Sequence, residues 1–170
     1  MIEYHKNFSL EPLFYINEEG LVCQEEWKDV VGFEGLYRVS NLGRIKSLER
    51  IVNRINSPYK IETKILKPRE SKRRYLVCDI GYKKRTIHQL VAMAFLNHIP
   101  CKYKLVVDHK NNNPLDNRLE NLQLTTQRNN ASKDKKNKSS KYTGVSWNKK
   151  RNIWISSIRF LGTKIVLYSG

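Results

Sequence analysis

Residues 104–131 read KLVVDHKNNNPLDNRLENLQLTTQRNNA, and no single regular element can hold them. A short apolar strand ends on Asp108-His109, an Asn-rich loop follows, and a second strand then runs into a polar helix that Thr125 or Thr126 can cap. Asp, His and Asn are the side chains needed to hold one hard divalent cation beside a phosphate and to activate a water. Such a pattern directs the fold toward small strand-and-helix units rather than a long bundle.

Charge suggests where the phosphate comes from. The 170 residues carry 32 Lys and Arg against 16 Asp and Glu, a formal net charge of +16, with a pI near 9.9. Nucleic acid is the natural partner of such a chain, and a merely basic surface is the blander reading. Apolar residues make up 39%, thin for one thick core and suited to modules laid along a polyanion. Cys23, Cys78 and Cys101 are odd in number and far apart, which argues against a disulfide framework or a zinc knuckle and for reduced thiols. The start MIEYHKNF lacks the order of a signal peptide, and no apolar run reaches transmembrane length. The expectation is a cytoplasmic protein without membrane contact.

Four segments follow. Residues 1–24 are weakly patterned, with Leu10, Leu13, Phe14 and Ile16 able to pack locally. Within 25–74, Tyr37, Val39, Ile45 and Leu48 alternate with Arg38, Ser40, Arg44 and Lys46 as a hairpin turning at Asn41-Leu42-Gly43, followed by a basic connector that Pro58 and Pro68 punctuate. Within 75–135, residues 75–80 read as a strand, 81–83 as its turn and 84–86 as the return. Ile87, Leu90, Val91, Ala94 and Phe95 then fall on one helical face, with Thr86 as N-cap and the strands around Asp108-His109 as the surface they cover. Residues 136–170 hold a basic linker and a three-stranded sheet. Period two sets Val145, Trp147, Trp154, Ile158, Ile165 and Leu167 on one face, and Ser146, Asn148, Ser157, Arg159 and Lys164 on the other.

Phosphodiester hydrolysis needs an activated water, charge neutralisation at the phosphate and a stabilised leaving oxygen. Asp108 is the obvious anionic ligand, and the amide of Asn130 (or its neighbour Asn129) can approach from the first turn of the helix. His109 can take a proton near neutral pH, and Asn121 can fix either the histidine tautomer or the loop. His88 reads as a satisfied structural histidine, and His5 and His98 as ordinary residues. Lys110, Arg118 and Arg128 surround the motif and would meet phosphates; Arg38, Arg44 and Lys46 would do so on the hairpin. Asn148, Lys149, Lys150, Arg151, Arg159 and Lys164 would do so on the tail, where Trp147 and Trp154 serve as core rather than as stacking platforms.

Asp108-His109, Asn121 and Asn130, with ENLQLTT between, resemble the HNH nuclease motif in the form found in phage-intron homing endonucleases. That resemblance implies a ββα-metal unit in which His109 is the general base, Asp108 and Asn130 hold Mg²⁺ or Mn²⁺, and Asn121 orients. The segment EWKDVVGFEGLYRVSNLGRIKSL is similar to the modular DNA-binding motif that often precedes HNH units. The tail from Lys141 resembles the three-stranded DNA-binding sheet of ethylene-response factors. It stops at Gly170, before the helix that covers the apolar face in that family, so either the chain is truncated or Trp147, Trp154 and Ile158 pack elsewhere. Ser146, Asn148 and Ser157 stand where those domains carry Arg, so base preference does not transfer.

The expectation is an α+β modular protein: a central ββα-metal unit flanked by β-rich DNA-binding modules, cutting double-stranded DNA as a monomeric, metal-dependent homing endonuclease. A non-catalytic DNA-binding regulator built on the same modules is the alternative. A ribosomal-type RNA binder is less apt, because bare Asp108 would repel a phosphate.

Overall fold

Short antiparallel strands joined by turns at positive φ build most of this chain. The computed structural model describes residues 6–17, 19–53, 57–101, 104–133, 139, 140, 142, 144–161 and 163–169. The hairpin of β1 (Phe14–Ile16) and β2 (Val22–Gln24) comes first. Next are β3 (Trp27–Asp29), β4 (Tyr37–Ser40) and β5 (Ile45–Ser47), then the hairpin of β6 (Arg50–Val52) and β7 (Tyr59–Ile61), and β8 (Lys64–Ile65). Strands β3, β4, β5 and β8 form one four-stranded sheet in that order. The connector expected after Arg50 is thus itself strand-bearing, with β6 before Pro58 and the short β7 and β8 between Pro58 and Pro68.

Strands β9 (Arg69–Glu70), β10 (Leu76–Ile80) and β11 (Lys83–Thr86) form a second sheet. Gly81 and Tyr82 both have positive φ, as a two-residue hairpin loop requires. Helix α1 (Ile87–Phe95) follows without a Gly or Pro to interrupt it. Thr86 stands at the N-cap, but its hydroxyl donates to Gln89 Oε1 at 2.8 Å and accepts no backbone N–H. Asn97 at φ 52 ends the helix, a left-handed position that Asn tolerates.

Strand β12 (Val106–His109) pairs antiparallel with β13 (Leu122–Thr125) across a loop that closes with one 3-10 turn (Leu119–Asn121); α2 (Gln127–Ser132) comes next. Strands β14 (Val145–Asn148), β15 (Ile153–Phe160) and β16 (Thr163–Ser169) form a meander. The chain divides into two compact units, 1–130 and 131–170.

One core serves the whole first unit. Val30, Val39 and Ile45 pack with Leu76, Cys78, Ile80, Ile87, Leu90, Val91 and Leu122. Helix α1 touches β3 and β4 as well as β10, β11, β12 and β13, so its apolar stripe is covered from both sides of residue 75 and not by the Asp108-His109 strands alone. Burial holds the Cys78 thiol up at about 11, a protonated and unreactive group. Cys23 and Cys101 are likewise free thiols.

In the second unit Trp147 and Trp154 face each other, ring centroids 5.2 Å apart, and Ile158 pairs with Ile165, as alternation predicts. Leu167 breaks the pattern, because the β15–β16 register slips at Ser156/Ser157 and a bulge resets the alternation. Ile153 and Ile155 lie across from Asn148 and Ser146, so the other face is not wholly polar. Residues 134–138 of the linker, Lys141, Gly170 and the side chain of Arg159 lie outside the described residues.

Two expectations for the first unit are overturned by Arg44. It is no DNA contact: its guanidinium is buried and ion-paired with Glu25, its Nε donating to Glu25 Oε1 at 2.8 Å. The same group donates to the carbonyls of Ser9 at 2.7 Å and Glu11 at 3.1 Å. Local apolar packing is therefore not what orders the N-terminal segment. Phe14 and Ile16 are exposed, and a cation reaching for backbone oxygens supplies the order. Arg44→Ala should cost about 3–5 kcal/mol, since it strands the Glu25 carboxylate in the interior. Urea unfolding should show a lower midpoint at unchanged slope; a midpoint within error of wild type would deny the pair this role.

Candidate active site

The β12–β13 ladder sets Asp108 opposite Gln123 and His109 opposite Leu122. Both Asp108 and His109 are buried, at 6% and 7% exposure, so neither is an ordinary surface polar residue. Gln123 Nε2 donates to Asp108 Oδ2 at 2.7 Å and so orients the carboxylate. His109 Nε2 meets Asn117 Oδ1 at 3.2 Å. Asn117 Nδ2 donates to the Leu115 carbonyl at 3.2 Å, which turns the amide oxygen toward the ring. With the amide oxygen so placed, the contact suits an imidazole that carries its hydrogen on Nε2.

Asn121 closes the loop. Its Oδ1 accepts from the Asn111 N–H at 3.0 Å and its Nδ2 donates to the Asp116 carbonyl at 2.8 Å. Of the two roles open to Asn121, the geometry gives the loop, and Asn117 holds the histidine. Asp116 anchors the same loop: Asn111 Nδ2 donates to it at 2.9 Å, and Arg118 Nε and Nη2 both bond to it at 2.9 Å. Burial works to raise the Asp116 pKa, but the Arg118 bonds and charge outweigh it and hold the carboxyl below its ordinary value.

Aromatic rings wall the histidine. His88 lies edge-on to His109 with centroids 5.3 Å apart, and Tyr75 stacks on His109 at 6.2 Å. Burial, with lesser help from His109 and His98, pushes His88 down to about 3, so it is neutral at physiological pH. His98 is buried rather than ordinary, and among the described residues the Nδ1 atoms of His88 and His98 find no hydrogen-bond partner. Both line a cleft of about 880 Å³ that Lys72, Arg73, Lys84 and Asn130 share. Asn130 is exposed there on α2, whose cap is Thr126, its Oγ1 accepting from the Asn129 N–H at 3.2 Å.

The remaining cations divide. Arg118 is committed to Asp116 and Glu120 and is a loop anchor rather than a ready phosphate contact. Lys46 lies over the Trp27 ring at 4.2 Å, and burial lowers its pKa. Arg38 is exposed but paired with Asp29 at 2.9 Å, and Lys110 Nζ donates to the Glu120 carbonyl. Arg128 and Lys164 are exposed. So are Lys149, Lys150 and Arg151, presented on a turn where Asn148 Oδ1 accepts from the N–H groups of Lys150 and Arg151 at 3.0 and 3.1 Å.

Sequence reasoning missed Asn117, Gln123 and the cleft cations Lys72, Arg73 and Lys84. Gln123 was findable, because pairing the two strands sets it across from Asp108; Asn117 carries no signal of its own within a polar loop. Among the described residues no three His, Cys, Asp or Glu side chains converge to cage an ion. A carboxylate with an amide oxygen suits a hard cation that keeps waters and takes phosphate oxygens.

Asp116 makes a pH prediction. Its folded pKa is depressed, so its contribution to stability is full above the unfolded value of about 3.9 and is lost as pH falls through the lower folded value. Asp116→Asn should be less stable than wild type at neutral pH and lose less on acidification below about pH 4. Parallel acid slopes in urea titrations would refute the linkage.

Comparison with known families bears on these residues directly. Residues 25–81 match the NUMOD4 motif and residues 85–132 match the HNH endonuclease family. An uncharacterized HNH endonuclease of Acanthamoeba polyphaga mimivirus is 36% identical over 106 residues, covering 60% of this chain and 24% of that protein. The DNA endonuclease I-HmuI of Bacillus phage SP01 is 36% identical over 107 residues, covering 61% of this chain and 53% of the relative. A solved structure of the HNH homing endonuclease I-HmuI aligns with a TM-score of 0.47 at 34% identity, over 64% of this chain and 56% of that one. The chain thus spans about half or less of the length of these relatives. Residues 85–132 of this protein thus carry an HNH endonuclease segment, preceded at residues 25–81 by a NUMOD4 motif.

Proposed function

We propose that this protein is a metal-dependent DNA endonuclease of the homing type, acting as a monomer on double-stranded DNA in the cytoplasm of a bacterial or phage-infected cell. The observation that carries the reading is the buried Asp108-His109 pair, each held by an amide, with the neighbouring His88 lining the cleft that Asn130 and three basic residues share. A binding protein of the alternative, non-catalytic kind has no use for an imidazole locked in one tautomer. The I-HmuI relative is named as a DNA endonuclease, and the family match covers all four motif residues.

In this reading β12, β13 and α2 form the ββα-metal unit. Asp108 and Asn130 would hold Mg²⁺ or Mn²⁺, which supplies charge neutralisation at the phosphate and stabilisation of the leaving 3′ oxygen. His109 takes the proton of the attacking water on Nδ1. The water oxygen forms the new bond to phosphorus as the bond to the 3′ oxygen breaks. Asn117 stabilises the resulting imidazolium from the far side of the ring. Lys72, Arg73 and Lys84 draw the phosphodiester backbone into the cleft.

His109→Ala should lower the single-turnover cleavage rate of plasmid in Mg²⁺ by about 10²–10⁴ while leaving DNA affinity within about twofold. Cleavage by wild type should cease on chelation. Normal binding with near wild-type cutting would remove His109 from the chemistry.

The tail serves affinity, with Lys149, Lys150 and Arg151 on its exposed turn as phosphate contacts. Replacing all three by Gln should weaken binding of every sequence and flatten the salt dependence by about one slope unit per lost contact. An unchanged salt slope would show that the turn does not touch DNA.

A further inference from the structure

The loop that orients His109 does not stand alone; it rests on the turn between β4 and β5. Leu119 N–H donates to the Asn41 carbonyl at 2.7 Å. Two residues on, Gly43 lies so close to Asn117 that a Cβ there would stand 3.0 Å from Asn117 Cβ and 3.2 Å from its carbonyl oxygen. Asn117 is the residue whose amide meets His109. The path from turn to imidazole is therefore two contacts long, Gly43 to Asn117 and Asn117 to His109.

The turn is stiff enough to act as a seat. Asn41 Oδ1 accepts from the Glu26 N–H at 3.1 Å, and Asn41 Nδ2 donates to the Tyr15 hydroxyl at 3.1 Å. Ser40 Oγ accepts from the Arg44 N–H at 3.0 Å, while the Arg44 guanidinium is locked to Glu25. Residues 39–45 are all buried. Glycine is required at position 43 twice over, by its φ of +79° and by the approach of Asn117.

We infer that the Asn41–Gly43 turn, within the segment matching the NUMOD4 motif, is a positioning element of the nuclease site: it sets Asn117, and through Asn117 the tautomer and aim of His109. The segment thus contributes to the chemical step and not only to holding DNA. This inference rests on His109 being the general base.

Gly32 provides an internal control. It has the same φ of +79°, but a Cβ there meets nothing within 4 Å. Gly32→Ala therefore reproduces the backbone strain of Gly43→Ala without the collision. Asn117 must give by a few tenths of an ångström in Gly43→Ala, and errors of aim on that scale reduce rates steeply, about 10² for 1 Å. The expected result is a single-turnover rate lowered about tenfold in Gly43→Ala, with DNA affinity within about twofold, and Gly32→Ala cutting as wild type does. Imidazole ¹⁵N resonances, assigned by their loss in His109→Ala, should report the Nε2–H tautomer in wild type and in Gly32→Ala and shift in Gly43→Ala. Should Gly43→Ala fail to fold, Gly43→Asn keeps the Cβ on a residue that tolerates positive φ, and the same rate loss and shift are expected of it. The inference is overturned if the Gly43 variants cut at the wild-type rate with the His109 resonances unmoved, or if Gly32→Ala loses as much. Should His109→Ala itself cut normally, the general-base reading falls; with His109→Ala inactive and the Gly43 variants fully active, the positioning role alone falls.

Discussion

A single guanidinium ties the first unit together. Arg44, at 1% exposure, binds the Glu25 carboxylate and gathers carbonyls from residues 7, 9 and 11, with the Trp27 ring at 5.3 Å from its centre. Burying such a pair gives little net stability against an apolar replacement, because two ions must leave water. It gives definition instead. A guanidinium with five fixed donors accepts very few arrangements of its surroundings, and here that arrangement brings the N-terminal segment, Glu25 and the β4–β5 turn to one place. What the turn then supports depends on its being in that place.

The nuclease-like segment needs this support because it is poor in core. Among the described residues after 103, Leu122 is the one fully buried apolar side chain of the first unit. Two strands, a polar loop and a six-residue helix cannot bury enough to stand alone. Helix α1 supplies the missing surface, with one flank on β3 and β4 and the other on β12 and β13. The loop between them is held by polar bonds with a high degree of completeness: Asn111, Asn113, Asp116, Asn117, Arg118 and Asn121 all bond within it. Apolar packing places the hairpin, and amides then shape the loop on it.

Periodicity made much of this legible from sequence. The α1 stripe, the Asn41–Gly43 turn, the β10–β11 hairpin and the Trp147–Trp154 contact all follow from spacing of two or of three and four. Asp108, His109, Asn121 and Asn130 stood out because their residue types have a joint use. What stayed hidden is what spacing does not encode. Arg44 and Arg38 look alike in sequence, two cations amid apolar residues, yet one is interior and the other in water: Arg44 reaches the buried Glu25 and the carbonyls of residues 7, 9 and 11, whereas Arg38 meets Asp29 at the surface. Asn117 and Asn121 look alike in the loop, and which of them meets the histidine is decided by the fold of the loop and not by residue type. The bulge at Ser156/Ser157 likewise shifts Leu167 without any Gly to announce it.

Internal pairing also decides where the excess positive charge can act. Much of the cationic surface of the first unit is already answered by acids: Arg38 by Asp29, Lys60 by Glu49 and Glu62, Arg69 by Asp79, Arg118 by Asp116 and Glu120. Among the described residues no carboxylate answers Lys72, Arg73 or Lys84, which share the cleft with Asn130. Part of the formal charge of +16 is thus answered internally, while Lys72, Arg73 and Lys84 keep theirs along the cleft. The imidazole of His88 adds no charge there, since burial holds it neutral down to about pH 3. His88 therefore contributes no positive charge to the cleft across neutral pH, where Lys72, Arg73 and Lys84 supply it.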